Sequence, residues 1–336
     1  MNDYILAGDV GGTKTLLALA VMEERGALFL HKKRYGSREA ASLDELIDSF
    51  LSEVSIDRSE TVLSLGVAGP VMENKSITTN LPWTVDGPAL KKKMGFKEVG
   101  IMNDFMAIAC AIPSFSAADL ETLNSGRKEE KGPIAVIGAG TGLGEGMAFW
   151  CTADERYKVI ASEGGHADFA PKNGEEMGLL RWLMKKEAHV SYEKLLSGPG
   201  LVNIYQYLVN RGFSPLNKET EKTMRGGDGA AVIAARGLAG EDKNCVHAIE
   251  LFASIYGAEA GNLALKVLPT GGLYIAGGIA PKLMEKLKGG GFMEAFLGKG
   301  RLSAFLKNIP VYIIGNTEAG LLGALGRAGE IMDETS

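Results

Sequence analysis

Two glycine-rich loops of similar design constrain this chain more than any other feature. Each follows a short apolar run that is typical of a β-strand. The first is Asp9-Val10-Gly11-Gly12-Thr13-Lys14, and the second is Gly138-Ala139-Gly140-Thr141-Gly142-Leu143-Gly144. A single glycine loop fits any tight turn, because glycine tolerates positive φ and the close approach of other groups. Two such loops, one in each half of the chain, predict two hairpins whose backbones bind the phosphates of one nucleotide.

The surrounding sequence excludes the two commonest nucleotide-binding motifs. No G-x-x-x-x-G-K-[ST] sequence occurs, so the chain has no Walker loop. The nearest match to a dinucleotide-binding loop, Gly138 to Gly144, leads into another strand-like run and not into a helix. A dinucleotide-binding fold is therefore disfavoured.

Length, charge and cysteine usage limit the class of protein further. A chain of 336 residues exceeds what one hydrophobic core usually serves, which predicts two lobes. The net charge of -5 gives no general attraction to nucleic acid or to an anionic membrane. The isolated Cys110, Cys151 and Cys245 predict small buried residues, not a disulfide framework or a zinc site. Residues 1–8 resemble neither a signal peptide nor a membrane span, so we expect a cytoplasmic protein without nucleic-acid or membrane partners.

Hydrophobic patterns predict an α/β lobe in the first half of the chain. Strand-like runs at 4–8, 16–22 and 27–35 predict an antiparallel three-stranded start. The next predicted elements are a helix at 43–54, a strand at 61–67, a helix near 88–94 and a strand at 99–102. Strands that alternate with helices are typical of α/β folds.

The polar stretch 113–133 predicts the boundary between the lobes, after which the strand-loop-strand unit repeats. We expect a small α/β domain over 1–112 and 315–336 and a large α+β domain over 113–314. The predicted elements of the second half are strands at 134–137, 147–150, 158–162, 273–276 and 311–314, a helical region over about 175–287 with breaks at 198–200 and 225–227, and a terminal helix at 318–328 that can pack back on the first lobe.

Residues of the first loop suit the binding of phosphate and Mg²⁺. Gly11 and Gly12 let the backbone approach phosphate oxygens, and Thr13 and Lys14 add donors. A carboxylate beside phosphates is repulsive unless a cation lies between them, so Asp9 is a candidate Mg²⁺ ligand through water. The alternative is a turn aspartate that accepts from local N–H groups.

Asn103 and Asp104 follow a predicted strand where a helix starts. A pair of N-cap residues is one explanation. Open α/β sheets, however, bind ligands at the carboxyl ends of their strands, where a carboxylate can accept the proton of an attacking hydroxyl. We therefore predict Asp104 as a general base and Asn103 as a group that orients the acceptor.

The segment Glu163-Gly164-Gly165-His166 combines an acid and an imidazole, which suits a polyhydroxylated ligand. A plain turn is one alternative, and a metal site is another, although it has few ligands. The local sequence of Glu193 is typical of a surface helix. The remaining histidines have no evident partner and are interpreted as structural: His31, His189 and His247.

Gly277 and Gly278 follow an apolar run and would let a flat base lie against the backbone. The alternative is a tight turn from strand to helix. Both explanations require glycine, so these two residues by themselves do not identify a ligand.

In their order along the chain, these segments resemble the bacterial glucokinase family, from end to end. The resemblance is carried by Gly8-Asp9-Val10-Gly11-Gly12-Thr13, Asn103-Asp104-Phe105, Gly138 to Gly144, Glu163-Gly164-Gly165-His166-Ala167-Asp168-Phe169-Ala170-Pro171 and Leu196-Ser197-Gly198-Pro199-Gly200-Leu201. It implies an α/β fold of the two-lobed, actin-like sugar-kinase type, with ribonuclease H-like duplicated domains and a central cleft.

The resemblance also implies transfer of the γ-phosphoryl group of ATP to the 6-hydroxyl of glucose, with Mg²⁺. Asp104 would be the base, and the groups that bind glucose would be Asn103, Asp104, Glu163, His166 and Glu193. The nucleotide would be held by Gly8, Asp9, Val10, Gly11, Gly12, Thr13, Lys14, Gly140, Thr141, Gly142, Gly277 and Gly278. We also expect a homodimer.

One residue departs from what a phosphate site favours: Glu145 directly follows the second loop, and we expect it to face away from phosphate.

Two other functions stay open. One is a kinase for another hexose or for another phosphoryl donor such as polyphosphate. The other is a nucleotide-gated sugar-binding regulator without catalysis, against which Asp9, Asp104 and Glu163 argue.

Overall fold

The computed structural model describes residues 4–23, 26–77 and 81–335, and the chain divides into two units. The first unit is Met1–Ser116 with Asn316–Ser336, and the second is Ala117–Gly315. Residues 1–8 were expected not to form a signal peptide, and the first three of them, Met1 to Asp3, lie outside the described residues. Within the described ranges, no helix combines the length and the apolar character needed to cross a membrane.

Strands and helices alternate through most of the chain. The strands are β1 (Tyr4–Val10), β2 (Lys14–Glu23), β3 (Gly26–Gly36), β4 (Thr61–Val67), β5 (Val71–Met72), β6 (Lys75–Ile77), β7 (Thr84–Asp86), β8 (Glu98–Asn103), β9 (Leu120–Asn124), β10 (Ile134–Ala139), β11 (Leu143–Cys151), β12 (Arg156–Ser162), β13 (Gly272–Ala276) and β14 (Val311–Ile314). The helices are α1 (Leu43–Leu51), α2 (Gly87–Met94), α3 (Asp104–Ala111), α4 (Gly174–Leu183), α5 (Gly198–Asn210), α6 (Lys218–Arg225), α7 (Gly229–Leu238), α8 (Lys243–Val267), α9 (Met284–Lys288), α10 (Gly291–Leu297), α11 (Ser303–Leu306) and α12 (Ala319–Thr335).

The first unit is built on a five-stranded sheet in the order β3-β2-β1-β4-β8. β1, β2 and β3 pair antiparallel, which confirms the predicted start, and β4 pairs parallel with both β1 and β8. Parallel strands end at the same edge of a sheet. β1 and β8 therefore deliver Asp9 and Asn103 to one edge, on either side of β4.

Helices cover both faces of this sheet. Successive side chains of a strand point to opposite faces, so neighbouring residues of β1 pack against different helices. Leu6 packs into a cluster with the buried side of α1 and α2, whereas Ile5 and Ala7 pack against α12. The predicted packing of the terminal helix on the first unit is confirmed, since α12 contacts α3, β1 and β4.

The second unit repeats this design in a six-stranded sheet with the order β12-β11-β10-β13-β14-β9. β10, β11 and β12 form the antiparallel start, and β10, β13 and β14 run parallel. The 25-residue α8 is buried over most of its length and contacts α5, α7, α10 and β10. The predicted repeat of the strand-loop-strand unit is confirmed.

Some elements differ from the sequence-based expectations. β9 lies inside the polar stretch 113–133, and its half-exposed position at the sheet edge explains why it has no apolar run. The small sheet of β5, β6 and β7 has strands of two or three residues, too short for a hydrophobic period.

The helical region is interrupted as expected, but the interruption lies between Leu183 and Gly198, and Gly198-Pro199-Gly200 form the first turn of α5. The Ser197 hydroxyl caps the helix by accepting a hydrogen bond from the N–H of Gly200 at 3.0 Å. Proline is tolerated in a first turn, where its missing N–H has no partner to lose. The break at 225–227 is confirmed, since α6 ends at Arg225 and α7 begins at Gly229.

Candidate active site

The first glycine loop is a tight hairpin between β1 and β2. The N–H of Gly11 donates to the carbonyl of Lys14 at 3.0 Å. Ser37, which follows β3, fixes the hairpin from outside: its hydroxyl donates to the carbonyl of Gly11 at 2.7 Å, and its N–H donates to that of Thr13 at 3.0 Å. Sequence reasoning missed Ser37, because a serine after a strand looks like an ordinary turn residue.

Asp9 lies beside this hairpin at the end of β1. Burial raises the pKa of its carboxyl to about 6, and nearby Arg34 acts weakly in the opposite direction. No hydrogen bond from the described residues contributes to this shift, so the alternative of a turn aspartate is not supported. The carboxyl packs on the first turn of α12, where a Cβ added to Gly320 would lie 2.8 Å from Asp9 Cγ.

The environment of Asp9 fits a hydrated Mg²⁺ ion. A half-buried carboxylate without a hydrogen-bond partner is poorly solvated, and a nearby cation would favour its ionised form. Within the described part of the chain, no group of three His, Cys, Asp or Glu side chains is arranged to hold a metal.

Asn103 is the N-cap of α3. Its Oδ1 accepts from the N–H of Phe105 at 2.8 Å and of Met106 at 3.4 Å, while its Nδ2 donates to the carbonyl of Gly69 at 3.0 Å. The capping explanation is therefore confirmed for Asn103. The cap fixes the start of α3, and Asp104, the first residue of that helix, is half-buried at the carboxyl edge of the sheet.

The second glycine loop is the hairpin between β10 and β11. The N–H of Gly140 donates to the carbonyl of Gly142 at 2.8 Å, and the carbonyl of Gly140 accepts from the N–H of Gly198 at 2.8 Å. The N–H of Leu143 donates to Glu193 Oε2 at 3.0 Å. A Cβ at Gly142 would overlap that carboxylate and lie 3.3 Å from Glu193 Cδ, so a larger residue there would displace the Glu193 side chain from this contact.

Glu163, His166 and Glu193 come together in the second unit. His166 Nε2 is 4.0 Å from Glu163 Oε2, and His166 Nδ1 is 4.0 Å from Glu193 Oε1. These distances are too long for hydrogen bonds, so the facing atoms keep their capacity to bind the hydroxyls of a ligand. The cluster is one polar surface beside the second hairpin.

The local sequence of Glu193 suggested a surface helix, and this expectation is wrong. Glu193 lies in a short 3₁₀ turn, Tyr192–Lys194, with 31% of its side chain exposed. The pairing of Glu193 with Leu143 spans 50 residues of sequence. No local sequence pattern predicts such a contact, and only the family resemblance identified Glu193 as a candidate sugar-binding residue.

The glycines of the Glu163–His166 segment allow it to lie directly on β11. A Cβ at Gly165 would overlap the Leu143 carbonyl oxygen and lie 2.9 Å from its carbon. A Cβ at Gly164 would lie 2.8 Å from Glu145 Cδ. The predicted sugar-binding segment and the second hairpin are therefore anchored on the same strand.

Gly277 and Gly278 form a turn against the end of β10. Gly277 has a φ of 84°, and a Cβ there would overlap the carbonyl of Ala139. The N–H of Ile279 donates to that carbonyl at 3.2 Å. The turn explanation is thus sufficient for Gly277, whereas Gly278 faces open space.

The residues interpreted as structural differ in part from expectation. His31, His189 and His247 each have a carboxylate partner, respectively Glu53 at 3.1 Å, Asp168 at 2.9 Å and Glu175 at 2.9 Å. All three cysteines are free, but only Cys245 is buried, and Cys110 and Cys151 are partly exposed. Glu145 points into the protein interior.

The repeated sheet design, with a glycine hairpin opening each sheet, is the α/β fold of the actin-like class of sugar kinases. A family model described as Glucokinase matches residues 6–330. The chain belongs to the glucokinase family, whose members transfer a phosphoryl group to a hydroxyl of glucose.

Individual relatives agree with this assignment. Glucokinase of Nostoc sp. (strain PCC 7120) is 40% identical over 337 residues, covering 95% of this chain and 97% of that protein. Glucokinase of Synechocystis sp. (strain PCC 6803) is 38% identical over 346 residues, with coverages of 96% and 97%. The crystal structure of glucokinase from an Antarctic psychrotroph aligns with a TM-score of 0.82 at 29% identity, covering 98% of this chain and all of that one.

Proposed function

We propose that this chain transfers the γ-phosphoryl group of ATP to the 6-hydroxyl of glucose, with Asp104 as the general base. The observation that carries the proposal is the position of Asp104 at the carboxyl edge of the first sheet. It shares that edge with Asp9 and the first hairpin, and the Asn103 cap fixes the helix that bears it. This is where open α/β sheets bind ligands.

In the proposed reaction, the oxygen of the sugar hydroxyl bonds to the γ-phosphorus, and Asp104 accepts the proton that this hydroxyl loses. The bond from phosphorus to the β–γ bridging oxygen breaks, and ADP leaves. Asn103, Glu163, His166 and Glu193 bind glucose hydroxyls. Polar groups matched to each hydroxyl disfavour a sugar that lacks one, because the unmatched group is left unsatisfied.

The two hairpins are proposed to bind the nucleotide, through Gly8 to Lys14 and Gly140 to Gly142, with the base near Gly277 and Gly278. Asp9 would hold Mg²⁺ through water, and that ion neutralises charge on the phosphates when bound. The raised pKa of Asp9, to about 6, supports this role, since the carboxyl is short of a cationic partner.

The test is the Asp104→Asn variant. We expect turnover to fall about 10²- to 10⁴-fold, because an amide cannot accept the proton, while the dissociation constant for glucose changes little. A coupled assay with glucose and ATP measures turnover, and calorimetry measures glucose binding. Turnover close to wild type would contradict the assignment of the base.

Asp333→Asn is the matched control, because Asp333 is an exposed aspartate of the same unit, on α12. It should leave both constants unchanged. In the same assay, a panel of hexoses and phosphoryl donors tests specificity, and a clear preference for a sugar other than glucose would contradict the proposed substrate.

We further propose that the two units correspond to a small domain at 1–112 with 315–336 and a large domain at 113–314. A homodimer in the cytoplasm is proposed on the family resemblance. Light scattering on the purified protein measures the oligomeric state.

A further inference from the structure

Two buried carboxyl groups have no role in the proposed reaction. Glu145 on β11 is 2% exposed and Glu259 on α8 is fully buried. The two groups lie within hydrogen-bonding reach of one another. Oε1 of Glu145 and Oε1 of Glu259 each lack a hydrogen-bond partner among the described residues. Two ionised carboxylates in contact inside a protein are strongly unfavourable, whereas one proton between them makes one group a donor and the other its acceptor.

The pair lies directly behind the segments that bear the candidate sugar ligands. The Glu145 carboxyl packs directly against Gly164, since a Cβ at Gly164 would overlap Glu145 Oε2. Glu259 Oε2 accepts from Asn262 Nδ2 at 2.8 Å, and Asn262 Nδ2 also donates to the hydroxyl of Tyr192 at 3.0 Å. One side of the pair therefore contacts the Glu163–His166 segment, and the other reaches the residue before Glu193.

We propose that Glu145 and Glu259 share one proton and act as a positioning pair that holds the Glu163–His166 and Tyr192–Lys194 segments in the geometry that binds glucose. This inference rests on the proposed function of those segments. The pair does not touch the reacting atoms. It sets sugar affinity through the backbone it supports, so its loss changes KM for glucose more than kcat.

The surrounding charges favour the shared proton near neutral pH. Burial, followed by the negative charge of Glu259, raises the pKa of Glu145 to about 7, and burial also raises the pKa of Glu259. The other titratable groups that face the pair are Lys266, whose Nζ is 3.8 Å from Glu259 Oε1, Lys299, Tyr192 and Tyr256. Lys266 is 60% exposed and Lys299 is engaged with Asn262, so neither fully compensates a second buried negative charge.

The proton of the pair can exchange with solvent. A cavity of about 340 Å³ is lined by Tyr192, Glu259, Asn262 and Lys266, among others. Above about pH 7 the shared proton is lost, and repulsion between the two carboxylates then pushes on Gly164 and on the Asn262–Tyr192 contact. Glucose affinity should therefore decline on the alkaline side.

The experiment measures the dissociation constant for glucose by calorimetry from pH 6 to pH 8.5, with KM and kcat in parallel. For the wild type we expect affinity to fall at least about fivefold over this range, with little change in kcat. Glu145→Gln should abolish the pH dependence, because glutamine supplies a permanent N–H donor. Glu259→Gln should do the same, and the exposed Glu294→Gln on α10 is the matched control.

Infrared difference spectra provide a second readout that needs no sugar. The wild type should show a protonated carboxyl band at pH 6 that Glu145→Gln lacks and that disappears by pH 8.5. Two results would overturn the proposal of a shared proton. One is the same carboxyl band in the wild type and in Glu145→Gln at pH 6, and the other is a Glu145→Gln variant that keeps the wild-type decline in glucose affinity. Wild-type protein that does not bind glucose at pH 6 but shows the band would instead contradict the proposed function.

Discussion

Glu193 has two distinguishable roles at the scale of a single residue. Oε2 accepts a hydrogen bond from the N–H of Leu143, which closes the second hairpin, and Oε1 faces His166. One side chain therefore contacts both the proposed phosphate hairpin and the proposed sugar cluster. Removing the charge and removing the side chain should have different consequences.

We expect Glu193→Gln to raise KM for glucose about tenfold while KM for ATP stays near wild type, because an amide oxygen can still accept from Leu143. Glu193→Ala should raise both constants, since the hairpin loses its acceptor. Steady-state kinetics with each substrate varied in turn measures the difference. Equal effects of the two variants on KM for ATP would contradict the role of Glu193 in the hairpin.

At the scale of elements, glycines decide how closely the segments of the second unit pack. Gly165 lies on the carbonyl of Leu143, and backbone atoms cannot move aside as a flexible side chain can. Gly174, at the start of α4, provides a contrast, because a Cβ there would meet no atom within 4 Å. The two positions separate packing from the general effect of replacing glycine.

Gly165→Ala should displace the Glu163–His166 segment from β11 and weaken glucose binding at least about tenfold, an effect of about 1.4 kcal/mol. Gly174→Ala is the control and should leave glucose binding unchanged. Calorimetric titration with glucose, with circular dichroism to verify folding, measures both. Normal binding by Gly165→Ala would show that the segment does not need this close contact.

At the scale of the whole molecule, buried carboxyls determine how stability responds to pH. Asp9, Glu145 and Glu259 have raised pKa values, and burial is the main cause in each case. A carboxyl whose folded pKa is above its unfolded value contributes stability below the unfolded pKa, and that contribution is lost as pH rises through the folded pKa. Carboxyls with lowered pKa values, such as those of Glu53 and Asp57, lose their contribution only at more acidic pH.

The midpoint of thermal unfolding should therefore fall between pH 5.5 and pH 8, by about 1–2 °C for each kcal/mol lost in a chain of this length. Replacing both groups in the Asp9→Asn, Glu145→Gln double variant should flatten this dependence and raise the midpoint at pH 8. Scanning calorimetry across this range provides the measurement. A wild-type midpoint that rises with pH, or a double variant with the wild-type slope, would contradict the expectation.

Much of the architecture could be predicted from local sequence. The strands at 61–67 and 311–314 agree with their apolar runs to the residue, and the antiparallel starts of both sheets follow from strand runs that flank glycine loops. β9 and the small sheet could not be predicted, because short or half-exposed strands have no hydrophobic period. The first turn of α5 was misinterpreted because glycine and proline also favour breaks.

The sequence by itself determined the two glycine hairpins, the strand ends that bear Asp9 and Asn103, and the membership of the glucokinase family, because these depend on local patterns of residues. The tertiary structure alone decided that Glu193 closes the second hairpin, that Ser37 fixes the first, and that Glu145 meets Glu259. These contacts join residues far apart in the chain. Packing of whole elements creates them, and no local period of hydrophobicity encodes which distant side chains will meet.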